Sequence, residues 1–169
     1  MEPENNALLV REAFERVATG VSPAVQLALI GDAPYAHEYI ERVRDTRDAR
    51  IVIPGAIYGT GYHVLLSHCL AYIHATEVGG THPALIEAMG RGALVLYLNT
   101  PENAEVAAGA GIEFELANLD QKLVAVMGMS AEQRAEWGRR AAERVSERYG
   151  WQAVTDQYES LLTGLLGGK

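Results

Sequence analysis

The sequence predicts a doubly wound α/β fold, a parallel sheet with helices on both faces, and three observations lead there. Short apolar runs at Val25–Ile30, Arg50–Ile53, Leu70–His74 and Ala93–Leu98 alternate with segments of helical periodicity. Runs of that length without polar alternation are what strands buried on both faces require. Seventeen glycines in 169 residues exceed the usual share of roughly 7%, which suits many tight strand–helix turns.

In chain order, Leu8, Val10, Ala13, Phe14, Val17 and Ala18 fall at helical spacing across Asn6 to Thr19. Asn5 or Asn6 is the expected N-cap and Gly20 the stop. The run Val25–Ile30 is bounded by Ser22-Pro23 and Gly31-Asp32, the mark of a buried strand. Pro34 to Arg44 reads as a helix with Tyr35, Ile40 and Val43 inward. A strand at Arg50–Ile53 closes at Pro54-Gly55, and Gly61 to Cys69 reads as a short helix before the strand Leu70–His74. After the strand Ala93–Leu98 come a helical turn near Glu102 to Ala107 and a weaker strand at Gly111–Glu115. The remainder is helical: Leu119 to Met127, Ser130 to Tyr149, and Trp151 to Leu166. The middle one opens on Ser130-Ala-Glu-Gln133, which fits a capping box.

The chain opens on a helix, whereas such folds usually begin with a central strand. A missing first strand is therefore expected, and the chain is expected to be one domain, residues 1–169, of a longer protein.

Composition excludes several classes. A formal charge of −8 argues against a general nucleic-acid or anionic-membrane surface. Cys69 stands alone, so neither a disulfide framework nor a cysteine zinc site is available. No apolar run approaches the roughly 20 residues of a membrane span, and Met1-Glu-Pro-Glu-Asn5 does not resemble a signal peptide. A cytoplasmic setting is expected. The histidines His37, His63, His68, His74 and His82 show no zinc-ligand spacing, and neither a metal nor a cofactor is expected.

No G-x-G-x-x-G, G-x-x-x-x-G-K-[ST] or G-x-S-x-G occurs, which removes the dinucleotide fingerprint, the phosphate loop and the hydrolase elbow. The turn Gly79-Gly80-Thr81-His82-Pro83 is more informative. Pro83 fits a first helical turn, and the glycines allow positive φ and a close backbone approach. Amides from Gly80 to Ala84 could face a diphosphate at the helix N-terminus; equally, the segment could be a plain strand-to-helix turn. Glu87 lies one helical turn on, opposite a core stripe of Leu85, Ile86 and Met89. It reads either as a solvated carboxylate or as an acceptor for a vicinal diol such as a ribose. Glu77, before the glycines, is either a loop carboxylate in water or a group that contacts a sugar and supports charge at its anomeric carbon.

The stretch Glu77-Val-Gly-Gly-Thr-His-Pro-Ala-Leu-Ile-Glu-Ala-Met89 resembles the donor-binding C-terminal half of retaining GT-B-fold glycosyltransferases of the group-1, family-4 type. These commonly carry E-G-F-G-x-P-x-x-E-A-M. The two glutamates are ten positions apart here, against eight in that pattern. Leu27–Pro34 is similar to a strand ending in G-D-G-P, and Ile53–Ile57 to the strand and loop whose backbone reads the nucleobase. Thr100–Val106 with Ala110–Ile112, and Tyr149–Val154, match later segments in order.

The resemblance implies a Rossmann-like domain that binds a nucleotide-diphosphate sugar (UDP, GDP or dTDP) for hexosyl or deoxyhexosyl transfer in glycan biosynthesis. It assigns donor binding to Gly55, Ala56, Ile57, Gly79, Gly80, Thr81, His82 and Glu87, and a catalytic role to Glu77. It implies a missing N-terminal acceptor domain and no transfer without it. For the longer protein it leaves open a peripheral position on the inner membrane face. The family's arginine would lie before Met1, and its lysine near Pro3–Asn6 is not present. Those departures keep a non-catalytic binding or scaffold module of the same fold as the alternative. A sugar-nucleotide epimerase, which would need a second domain and its own base, is the weaker third.

Overall fold

The computed structural model describes residues 1–17 and 24–167. Five strands form at the expected runs: β1 Leu27–Ile30, β2 Ile51–Gly55, β3 Tyr72–His74, β4 Val95–Leu98 and β5 Ile112–Phe114. The helices are α1 Ala7–Arg16, α2 His37–Arg44, α3 Thr60–His68, α4 Pro83–Gly90, α5 Pro101–Ala107, α6 Leu119–Met127, α7 Ala131–Arg148 and α8 Trp151–Gly167. The expected end of the first helix at Ala18-Thr19, its Gly20 stop and the Ser22-Pro23 boundary lie outside the described residues.

Among the described residues all pairings are parallel, in two sheets: β1 with β2, and β3-β4-β5. No ladder joins β1 to β3. Parallel strands need helical crossovers, and those crossovers cover both faces. Strand β4 shows the result through the period of 2 along a strand. Leu96 and Leu98 point into a core shared with Val10, Phe14 and Leu123, while Val95 and Tyr97 point into a second core with Leu85 and Met89. Burying a Leu or Met of this kind contributes about 1.5–3 kcal/mol, and Leu85, Ala88 and Met89 are fully buried. They hold α4 against the sheet, which positions the Gly79–Pro83 turn.

Helix α7 seats on α4 through a close backbone approach. A Cβ on Gly138 would stand 2.0 Å from the carbonyl oxygen of Gly92. The capping box at its start forms in full, with Ser130 Oγ accepting from the Gln133 amide at 3.2 Å and Gln133 Oε1 from the Ser130 amide at 2.8 Å.

Two expectations need correction. Tyr35 is 70% exposed rather than inward, because α2 begins only at His37 and Tyr35 lies in the turn before it, off the apolar stripe. Ile40 and Val43 are buried as expected. Asn6 does occupy the N-cap position of α1, but its side chain makes no cap. It adopts a left-handed backbone (φ 53°), which Asn tolerates better than most residues, and its amide donates instead to the carbonyl of Ala75 at 2.9 Å.

Candidate functional site

A cleft runs along β1 and β3 and opens at the carboxyl ends of the strands, the expected place for a ligand in an open α/β sheet. Two loops contribute most to its mouth. The first follows β2, where Gly55 takes φ 88° and turns the chain so that Ala56 and Ile57 line the cleft. The second runs from β3 to α4, and Gly79, Gly80, Thr81 and His82 line the same space. The structure thus brings together six of the positions singled out in the sequence. Gly55 adjoins them through the chain, and Glu77 and Glu87 flank the cleft without lining it.

The second loop has a definite internal construction. His82 caps α4 in an extended conformation and Pro83 opens the helix, where its missing N–H costs nothing. The carbonyl of His82 accepts from the amides of Leu85 and Ile86 at 3.1 and 3.2 Å. Donors available to a ligand therefore come from the loop itself and from Ala84. The imidazole of His82 folds back over Gly79. A Cβ there would lie 2.5 Å from the ring carbon Cε1, and Gly79 has φ 149°. Only glycine meets both conditions without rearrangement.

Beneath His82 lies His74 at the end of β3, their ring centroids 4.8 Å apart. His74 is buried and its pKa is lowered to about 4, first by desolvation, then by the neighbouring His82, with partial compensation from Asn103. The fully buried Asn103 donates through Nδ2 to the carbonyls of Thr76 (2.9 Å) and Leu98 (3.0 Å), tying α5 to the loop after β3. His74 Nε2 and Asn103 Oδ1 are both buried without an aligned hydrogen bond.

Glu87 is half exposed on α4. Its Oε1 lies 3.2 Å from His63 Nδ1 on α3 and 3.5 Å from Arg91 one turn along α4. The His63 contact lacks the alignment of a hydrogen bond, so it acts as a charge contact whenever the ring is protonated. Tyr62 completes the group: burial, with the Glu87 carboxylate next, raises its phenol pKa. Such a carboxylate is held in place yet remains accessible to hydroxyl donors.

Glu77 is exposed. Its amide donates to the carbonyl of Glu4 at 2.9 Å, and its Oε2 sits 3.4 Å from Asn6 Nδ2. It is anchored to the N-terminal segment rather than to α4. Among the described residues lining the cleft there is no Lys or Arg side chain. No three His, Cys, Asp or Glu side chains among the described residues converge as a metal site would require.

Sequence reading did not find His63, Tyr62, His74 or Asn103 as site neighbours. The first two meet Glu87 only because α3 packs beside α4, and nothing in local spacing encodes that. Asn103 did carry a signal: it stands three residues after Thr100, whose hydroxyl accepts its amide at 3.2 Å as the cap of α5.

No model of a protein family matches the sequence, and no curated protein matches it by sequence. Solved structures match by fold. HepE of Anabaena, solved in complex with UDP and glucose, superposes with a TM-score of 0.83 at 18% identity over 97% of this chain and 46% of its own. The C-terminal domain of the glycosyl transferase group 1 family protein LpcC from Francisella tularensis gives 0.76 at 15% identity, over 89% of this chain and 83% of its own. The N-terminal domain of Candida albicans trehalose-6-phosphate phosphatase gives 0.67 at 13% identity, over 85% and 36%. The chain thus spans under half the length of HepE. At these identities the likeness establishes the fold, one Rossmann-like half of a GT-B architecture, and function has to be argued from the site.

Proposed function

We propose that this chain is the donor-binding half of a glycosyltransferase, taking a nucleotide-diphosphate sugar for hexosyl or deoxyhexosyl transfer. One observation carries the reading. The loops at Gly55–Ile57 and Gly79–Ala84 converge on one cleft at the carboxyl ends of the strands, in a fold shared with a protein solved in complex with UDP and glucose. The first loop offers backbone groups to a nucleobase. The second offers amides and a helix N-terminus to the diphosphate, a dipole contribution of about 0.3–2 kcal/mol. Glu87, steadied by His63 and Arg91, takes the ribose hydroxyls through charged hydrogen bonds worth about 1.5–3 kcal/mol each. Glu77 is assigned to the sugar side. Transfer requires an acceptor-binding domain elsewhere in the protein, which works in the cytoplasm on a glycan acceptor, without a metal or cofactor.

The test is a titration with UDP, GDP and dTDP and their sugars, followed by the amide resonances of Ala56, Ile57 and Gly79 to His82. The expected result is a saturable shift of both loops by one nucleotide class. Glu87→Ala should weaken ribose-containing ligands at least about tenfold, equivalent to ~1.4 kcal/mol, while inorganic pyrophosphate is unaffected. Shifts confined to one loop, or none with any nucleotide, would count against the proposal.

A non-catalytic module is the second reading, favoured by the lack of Lys and Arg side chains among the described residues lining the cleft. Joined to its acceptor-binding half, an enzyme releases nucleotide from the sugar donor, whereas a binding module holds the donor intact.

A further inference from the structure

An anionic ligand in the cleft meets no Lys or Arg among the described lining residues, and the side chains there that can carry positive charge are His68, His74 and His82. His68 closes α3 ahead of β3, at the amino end of that strand. His74 ends β3 and His82 caps α4, so these two stand at the mouth.

The ring of His82 is set edge-on against Gly79. A Cβ at Gly79 would lie 2.5 Å from Cε1 and 3.3 Å from both Nδ1 and Nε2. The carbon between the two nitrogens therefore points at Gly79, and the nitrogens splay to opposite sides of it. A ring held in this way can serve two partners at once. His74 is near enough to be one of them, its ring tilted by 59° at a centroid distance of 4.8 Å, within the range of an edge-to-face contact.

Asn103 fixes the proton on His74. Its Nδ2 donates to the carbonyls of Thr76 (2.9 Å) and Leu98 (3.0 Å), which uses both amide hydrogens. A flipped amide would set Oδ1 against two carbonyl oxygens, so Oδ1 is the free acceptor. That atom and His74 Nε2 are both buried without an aligned partner, and Asn103 acts on the His74 ring as a side-chain hydrogen-bond partner. The neutral ring therefore keeps its hydrogen on Nε2, toward Asn103, and leaves Nδ1 as an acceptor. Tyr72 stacks on the other side of His74 at 6.2 Å, its phenol pKa raised first by burial. The carboxylates nearest in the chain are engaged elsewhere, Glu77 with Asn6 and Glu87 with His63 and Arg91.

We propose that His82 is the side-chain donor of the cleft for a phosphate oxygen, and that His74 and Asn103 are the positioning residues behind it. His82 gives one ring N–H to His74 Nδ1 and the other to the ligand. With both nitrogens donating, the ring binds as an imidazolium, its second proton drawn from solvent, and supplies a charge-assisted bond in place of Lys or Arg. This assignment rests on the diphosphate reading of the Gly79–Ala84 loop. It goes further by placing the charge on one ring and the aim of that ring on β3 and α5.

Sodium pyrophosphate is the probe, because it carries phosphate without base, ribose or sugar. Long-range proton–nitrogen spectra should show His74 as the Nε2–H tautomer, and pyrophosphate should move both ring nitrogens of His82 toward imidazolium values. His74 in the Nδ1–H tautomer, or His82 nitrogens unmoved at saturation, would overturn the proposal. His82→Asn, which keeps a capping side chain for α4, should weaken pyrophosphate by about tenfold or more. Between pH 8 and pH 6 the parent should gain affinity relative to His82→Lys, whose charge is constant; parallel profiles would mean that His82 takes up no proton for the ligand. His74→Phe keeps a ring beneath His82 without an acceptor and should lose part of the same affinity. Combined with His82→Asn it should cost nothing more. A further loss in the double variant would mean that His74 acts through the fold and not through His82. Nucleotides separate the two readings. Pyrophosphate behaving as expected while UDP, GDP and dTDP fail to bind would leave the relay standing and remove the nucleotide-sugar reading. A nucleotide that binds His82→Asn as tightly as the parent would do the reverse.

Discussion

Strands β1 and β4 are both four-residue apolar runs, Leu-Ala-Leu-Ile and Val-Leu-Tyr-Leu, and as sequences they are near equals. In the fold they differ. Every residue of β4 is buried and both its edges are paired. Strand β1 is paired on one edge, and its Ala28 is exposed, as is Val52 of the neighbouring β2 at 40%. Apolarity identifies a strand, but burial depends on what lies beside it. The β3-β4-β5 half contains a strand paired on both edges, while the β1-β2 half has none and carries one of the two loops of the cleft.

The largest test of that difference is a pair of truncations. Leu96→Ala removes a fully buried side chain from β4 and should cost about 2–5 kcal/mol. Val52→Ala, on the open half, should stay within about 1 kcal/mol. Urea unfolding measures both, and similar costs would mean the two halves are equally packed.

Acid should weaken the three-stranded half through His74, which pairs with Tyr97 where β3 meets β4. In the unfolded chain His74 takes up a proton near its ordinary 6.5, whereas in the folded chain burial and then His82 hold that uptake back to about 4. Between those values the unfolded state binds more protons, so stability falls as the pH drops from 6.5 toward 4 and is unaffected by this group above 6.5. The interval corresponds to about 3 kcal/mol at most, at 1.36 kcal/mol per unit. His74→Asn should flatten the difference in stability between pH 7 and pH 5 relative to the parent, although the carboxylates still titrate below. An unchanged difference would show that the ring is not held neutral.

How much of this was legible in the sequence follows from what is local. The strands, the α4 turn and the capping box at Ser130 were readable because apolar period, Pro83 and the Ser-x-x-Gln pattern are decided within a few residues. Gly79 was readable as a special position for its backbone. The second reason for it, the His82 ring folded onto it, was not. Tyr35 was misplaced because a helix start without a capping side chain leaves no mark, and α2 has none. The company of Glu87 was hidden because His63 and Tyr62 come from another helix. Asn6 looked like a cap and serves instead to fasten the N-terminal segment to β3, a choice set by tertiary distance rather than propensity. For Glu77, the sequence showed its altered spacing from Glu87, and the structure shows an anchor to Glu4 and Asn6 that no spacing would reveal.

The smallest effect expected is a contrast between two glycines in helices. Gly138 of α7 faces the backbone of Gly92, and an added Cβ would meet the Gly92 carbonyl carbon at 2.9 Å as well as its oxygen. Backbone cannot rotate aside as a side chain does, so Gly138→Ala should push α7 off α4 and cost about 1–3 kcal/mol, as overpacking does. Gly164 of α8 has open space around it. There the same substitution should add up to about 1 kcal/mol, because alanine loses less backbone entropy in a helix. Thermal unfolding of the two variants reads both signs at once. Opposite signs would place α7 within the packed half and leave α8, with Trp151, Leu161 and Leu165 exposed, outside it. A loss at Gly164 equal to that at Gly138 would mean that α8 is seated on the domain as tightly as α7.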